Sequence, residues 1–168
     1  MFDKGVVKKV SRAVGKAWEN RDLLVEEVGQ MEELEKAFDI RKTVFVAEQQ
    51  VPLEYEFDEF DRLDGRCRHV IAYDKKKAVG TGRVRKTGKE AKIERICILP
   101  SYRRRGIGQR IVTQLETLIK QDEVQACQLH AQKYAEEFYR NLGYETVSEP
   151  FMEDGIEHVK MVKSIKTK

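Results

Sequence analysis

The sequence predicts an α/β (α+β) domain, a mixed β-sheet with helices on its faces. Three observations carry that prediction. Apolar residues switch between a two-residue and a 3.6-residue period along the chain. Short turns join three consecutive strand candidates, which favours an antiparallel meander. At 168 residues the chain has the size of one domain.

Residues 1–20 are expected to be a basic amphipathic helical extension, with Val6, Val7, Val10, Val14 and Trp18 at helical spacing among Lys4, Lys8, Lys9, Arg12 and Lys16. An extra helix packed on the domain is favoured there over a membrane-surface anchor or a partner helix. The domain proper is expected over 21–168. Leu23 to Val28 reads as a strand, and Met31 to Ala47 as a helix with Met31, Leu34, Phe38, Ile40, Val44 and Phe45 on its apolar face. The stretch around Pro52 is expected to be loop plus a broken helical turn. Arg68 to Tyr73, Ala78 to Lys86 and Ala91 to Leu99 then read as strands, turning at 74–77 and at Thr87-Gly88-Lys89.

Ile107, Ile111, Leu115, Leu118 and Ile119 form one helical stripe, and Ala126 to Ala131 returns to a strand. A further helix from Lys133 to Asn141 is expected to close on a left-handed cap at Gly143. Tyr144 to Ser148 and His158 to Val162 complete the sheet around the turn Glu153-Asp154-Gly155. There is no internal repeat.

Composition excludes several classes. Forty per cent hydrophobic residues against 36% charged is too apolar for disorder, and no run approaches the ~20 apolar residues of a membrane span. The first twenty residues lack an apolar h-region, so a cytoplasmic address is expected. Cys67, Cys97 and Cys127 fit neither a disulfide framework nor a metal-ligand spacing, so reduced thiols and no metal are expected. A net charge of +3 argues against a nucleic-acid partner. The charge is unevenly placed: seven acids stand against the single base Arg62 from Glu48 to Asp64, and eight bases against Glu90 from Lys75 to Lys92. The acidic run, if it borders a site, would draw a cationic ligand.

The most informative segment is the strand-turn-helix passage from Ile96 to Gly108. Gly106 and Gly108 let backbone N–H groups approach a ligand, and those groups lie at a helix N-terminus, which favours anions. Arg103, Arg104 and Arg105 can add charge-assisted hydrogen bonds to phosphate. The glycine spacing fits neither a dinucleotide fingerprint nor a nucleoside-triphosphate loop.

Arg103-x-x-Gly106-x-Gly108 resembles the acetyl-CoA pyrophosphate motif of the GNAT superfamily of N-acetyltransferases, and the element order from Leu23 onward is similar to that acyl-CoA N-acyltransferase fold. Three further motifs resemble the small bacterial ElaA-like subgroup: Val44-Phe45-Val46-Ala47-Glu48-Gln49 before Val51-Pro52, Ala131-Gln132 before Phe138-Tyr139-x-x-Leu142-Gly143-Tyr144, and Phe151-x-Glu153-x-Gly155-Ile156-x-His158. The resemblance implies a splayed sheet whose wedge takes acetyl-CoA as co-substrate. Ile96, Cys97 and Ile98 would offer backbone contacts, and the pyrophosphate would sit on Arg103, Arg104, Arg105, Gly106, Ile107 and Gly108.

The implied reaction is direct attack of a primary amine, on a small molecule or a peptide, on the thioester. Tyr139 occupies the thiolate-protonating position, and Glu94 or His130 is the expected base. Cys97 is expected to line the wedge rather than carry an acyl group. Where many relatives have asparagine, this chain has Lys133, with Gln132 beside it as the expected cofactor contact. Glu48 and Gln49 are expected to line the acceptor pocket. Final strands in such folds often meet at a homodimer seam. The competing readings are an acyl-homoserine-lactone-type synthase and a noncatalytic acyl-CoA-binding module.

Overall fold

The computed structural model describes residues 22–166; the expected N-terminal helix lies outside them. Eight strands form one sheet in the order β1-β2-β3-β4-β5-β8-β6, with β7 on β8. The strands are β1 (Leu23–Glu27), β2 (Arg68–Asp74), β3 (Lys77–Thr87), β4 (Glu90–Ile98), β5 (Ala126–Gln132), β6 (Glu145–Thr146), β7 (Phe151–Glu153) and β8 (Ile156–Ser164). The expected meander is β2-β3-β4, and β4 with β5 is the parallel pair.

The helices are α1 (Met31–Arg41), α2 (Leu53–Glu56), α3 (Ile107–Ile119) and α4 (Glu136–Arg140). α3 buries the whole predicted stripe, Ile107, Ile111, Leu115, Leu118 and Ile119, against the sheet in the main core. Gly82 makes this close approach possible: a Cβ there would stand 2.9 Å from Ile111 Cγ2 and 3.1 Å from Leu115 Cδ1. On the opposite face α1 buries Leu34, Ala37 and Ile40, with Leu34 and Ala37 packed on Ile71. Met31, expected on the apolar face, is exposed.

Three elements depart from the expected ones. The helix begun by α1 continues to Glu48, but its last seven residues, Lys42–Glu48, widen into a π-helix that closes on Gln49 N–H to Val44 O at 3.0 Å. Such turns recur at functional sites. The helix expected from Lys133 begins as a 3₁₀ turn, Lys133–Ala135, and ends where Gly143 adopts φ +97°, as expected of a left-handed cap. The last hairpin holds an additional strand, β7, turning through Asp154 and Gly155, both at positive φ, onto β8. Among the described residues no helix is long and apolar enough to cross a membrane.

Candidate active site

The site begins with a defect in β4. Thr81 faces Cys97 and Arg83 faces Glu94, so Arg95 and Ile96 share the space opposite Gly82, and Arg95 takes φ +57°. A bulge of this kind bends its strand and re-aims its side chains. Ile93 packs in the main core, whereas Cys97 packs with Ile40 and Val44 beneath the π-helical turn. β4 meets β5 at Glu90, Ala91 and Lys92, and beyond Lys92 the two strands part. The gap is a cleft of about 850 Å³. Ile96, Cys97 and Ile98 line one wall and His130 and Gln132 the other.

The arginine-glycine turn closes one end of the cleft. Arg104 and Gly106 both take positive φ, and Gly106 caps α3, whose first backbone bond is Arg110 N–H to Gly106 O at 3.3 Å. The N–H groups ahead of that bond have no intrahelical partner, and the helix dipole adds partial positive charge there. A Cβ on Gly108 would stand 3.1 Å from Phe138 Cζ and 3.3 Å from Ile98 Cδ1, so only glycine lets the first turn sit this close to the wall. Free N–H groups at a helix end, an unpaired strand edge and a cleft between them fit the chemistry of a coenzyme with a diphosphate and an extended thioester arm.

The three arginines do not act together. Arg104 lines the cleft. Arg103 donates to both Glu48 carboxylate oxygens, at 2.6 and 2.7 Å, and through Nε to Ile98 O at 3.0 Å. Its hydrogen bond holds the Glu48 carboxyl below its ordinary range. Glu48 was expected at the acceptor and Arg103 at the cofactor; the structure pairs them with each other, and Arg103 also lines the cleft. Arg105 stands apart from the other two: it donates to Asp74 at 3.1 Å and lies over the Tyr102 ring, outside the cleft lining. Gln49 and Gln132 bridge the cleft, with Gln132 Nε2 donating to Gln49 Oε1 at 2.8 Å.

The acidic run is not an open negative surface. Arg41, from α1, binds Glu56 at 2.9 Å and Asp61, while Arg83, from β3, binds Asp58 at 2.7 Å, Asp61 at 2.8 Å and Glu94 at 3.0 Å. Arg66 covers Asp64 at 3.0 Å. Burial opposes ionisation of Asp58, but Arg83 outweighs it and brings the pKa down to about 2. Glu56, Asp58, Asp61 and Asp64 thus each have an arginine partner, which weakens the field they present to a cation.

Glu94 belongs to the same network. Burial would raise its pKa, yet Arg83 and Arg85 overcome that and hold it ionised below the ordinary range. A carboxylate gripped by two guanidinium groups is a poor proton acceptor, which counts against the expected base role. Glu56 is the reverse case: burial raises its pKa in spite of Arg41 and Arg95.

Tyr139 is half-buried against the main core and lines the cleft, and burial raises the pKa of its hydroxyl. It therefore stays protonated at neutral pH. Burial likewise raises the Cys97 thiol, leaving it unsuited to nucleophilic attack. His130 faces the cleft with Nδ1 3.1 Å from Glu153 Oε1. Glu153 and His158 also line the cleft. The sequence places Glu153 in a turn and in the motif Phe151-x-Glu153-x-Gly155-Ile156-x-His158 but assigns it no role; that motif was the available signal. Among the described residues no group of three or more His, Cys, Asp and Glu side chains could hold a metal ion.

Comparison with known proteins accords with this geometry. Residues 41–165 match the family model described as an acetyltransferase (GNAT) domain. A Bacillus subtilis protein whose name assigns it provisionally to the acetyltransferases is 51% identical over 139 residues, 83% of this chain and 95% of that one. YjcF of Bacillus subtilis, named as an uncharacterized N-acetyltransferase, is 41% identical over 133 residues, 79% of this chain and 93% of its own. The crystal structure of Escherichia coli ElaA superposes with a TM-score of 0.74 at 26% identity, covering 84% of this chain and 99% of that one. With the splayed, bulged sheet and the capped turn already in place, this chain belongs to the GNAT acetyltransferase family.

Proposed function

We propose that the chain is an acetyl-CoA-dependent N-acetyltransferase that acetylates a primary amine on a small molecule or a peptide by direct attack in a ternary complex. The observation that carries this reading is the cleft, where β4 and β5 separate next to the bulge and the α3 N-terminus closes one end. Free N–H groups from Gly106 onward receive the diphosphate, and the separated edge of β4 pairs with the extended arm. Bound there, the coenzyme supplies an acetyl group activated as a thioester. Arg103 exchanges the Glu48 carboxylate for phosphate oxygen, an even trade of charge at a half-exposed position. Tyr139 gives its proton to the departing thiolate.

Cys97 is a wall, not an acyl carrier, which supports one-step transfer over a covalent relay. The test is a screen of amino sugars, polyamines, amino acids and peptides with acetyl-CoA, read by thiol release and by the mass of the acetylated product. Acetylated amine is the expected result, with Tyr139→Phe lowering turnover while coenzyme affinity stays level. Thiol release that ignores the added amine, or no coenzyme binding by calorimetry, refutes the reading.

A further inference from the structure

Opposite the β4 bulge, β5, β7 and β8 bring together two imidazoles, one carboxylate and one aromatic ring. His130 Nδ1 lies 3.1 Å from Glu153 Oε1. The other oxygen of the same carboxylate, Oε2, lies 3.6 Å from His158 Nε2. His158 Nδ1 stands 2.7 Å from Ile156 O, so it must be the donor there. Phe151 meets His130 edge-on at 5.0 Å and stacks on His158 at 6.1 Å, fixing the planes of both rings. His158 is nearly buried, whereas His130 keeps about a quarter of its side chain open, on the cleft.

This geometry selects a tautomer. A carboxylate accepts hydrogen bonds, so His130 donates Nδ1–H to Glu153, which leaves the Nε2 lone pair for a ligand in the cleft. We infer that His130 Nε2 takes the proton of the acceptor ammonium, and that Glu153 is a positioning residue that sets the tautomer and orientation of the ring. The inference rests on the acetyltransferase reading and names its proton acceptor. The groups around His130 are Glu153 and His158, Lys160 directly opposite on β8, and Glu94 across the cleft, already committed to Arg83 and Arg85.

The step balances as follows. The ammonium passes one proton to His130 Nε2; the freed nitrogen bonds to the acyl carbon as the C–S bond breaks. Tyr139 protonates the sulfur and is reprotonated from solvent, to which the amide nitrogen's second proton and the His130 proton are lost.

The test combines two readouts on the full chain. Nitrogen NMR of the wild-type protein should show His130 as the Nδ1–H tautomer, and Glu153→Gln, whose amide can also donate to the ring, should weaken that preference; an Nε2–H tautomer in the wild type overturns the inference whether or not an acceptor has been found. In pH profiles of kcat/KM, His130→Gln should remove the acidic limb and lower kcat about 10²–10³-fold, as loss of a general base does. Glu153→Gln should lower kcat with KM near level, since the imidazole loses the acceptor that orients it, and Glu153→Asp should restore part of the loss. Coenzyme affinity should stay level in all three variants. An acidic limb that survives His130→Gln overturns the base assignment while the acetyltransferase reading stands; failure of the wild type to bind coenzyme would defeat that reading instead.

Discussion

Arg83→Met would test the charge network beneath the cleft most directly. The Arg83 guanidinium is 1% exposed and hydrogen-bonds Asp58, Asp61 and Glu94, three carboxylates on two segments. Methionine fills similar space without charge, so the carboxylates would face one another with Arg41, Arg85 and Arg95 as the remaining partners. Removing one side of a buried ion pair costs about 3–5 kcal/mol, and the remaining arginines and the part-exposed Asp58 place this case near the lower end, at about 3 kcal/mol. For a domain of this size that corresponds to roughly 6–12 °C in melting temperature.

The pH dependence makes the reasoning specific. Asp58, Asp61 and Glu94 all have lowered pKa values in the folded protein. Their contribution is therefore present above the ordinary carboxylate range and is lost as pH falls toward the folded value, about 2 for Asp58. In the variant the uncompensated acids protonate more readily, which relieves their repulsion. Urea unfolding followed by circular dichroism should show a gap of about 3 kcal/mol at about pH 7 that narrows to about half near pH 4. A gap below about 1 kcal/mol, or one equal at both pH values, would refute the account.

Three further outcomes are expected. Glu48→Gln releases Arg103 from a half-exposed ion pair and should tighten coenzyme binding about two- to five-fold by calorimetry; weaker binding would mean that Glu48 orders the seat. Gly82→Ala forces a Cβ to within 2.9 Å of Ile111 and should cost about 1–3 kcal/mol in thermal or urea unfolding, whereas Gly29→Ala, with nothing within 4 Å, should be nearly neutral. The thiols of Cys67 and Cys127 are pushed up to about 12 by burial, and that of Cys97 is raised too, so the native protein should resist iodoacetamide at neutral pH and label at all three cysteines once unfolded.

Much of this molecule was legible as sequence, because its informative patterns are local. The α3 stripe, the meander and the Gly143 cap depend on residues a few positions apart, and each appears in the structure where it was expected. The Arg103-x-x-Gly106-x-Gly108 motif is likewise a local backbone device, and its glycines occupy the two positions that need them. Met31 was misplaced because helical period alone does not tell which turns of a helix find a packing partner. The π-helical widening escaped because its closing bond reaches five residues back, from Gln49 N–H to Val44 O, a spacing that apolar periodicity does not mark; β7 escaped because three residues are too few to show an alternation.

Charge is where tertiary structure overrode the linear pattern. Seven acids in a row of seventeen look like an attractive surface until folding carries Arg41 and Arg83 into them from separate elements. The same folding joins Glu48 to Arg103 across 55 residues and Glu153 to His130 across 23. Backbone periodicity is written in neighbouring residues, so the chain alone was enough to indicate the strands, the main helices and the arginine-glycine turn. Which carboxylates are neutralised, which remain beside the cleft and which imidazole nitrogen is left open depend on distances between remote segments, and only packing sets those distances.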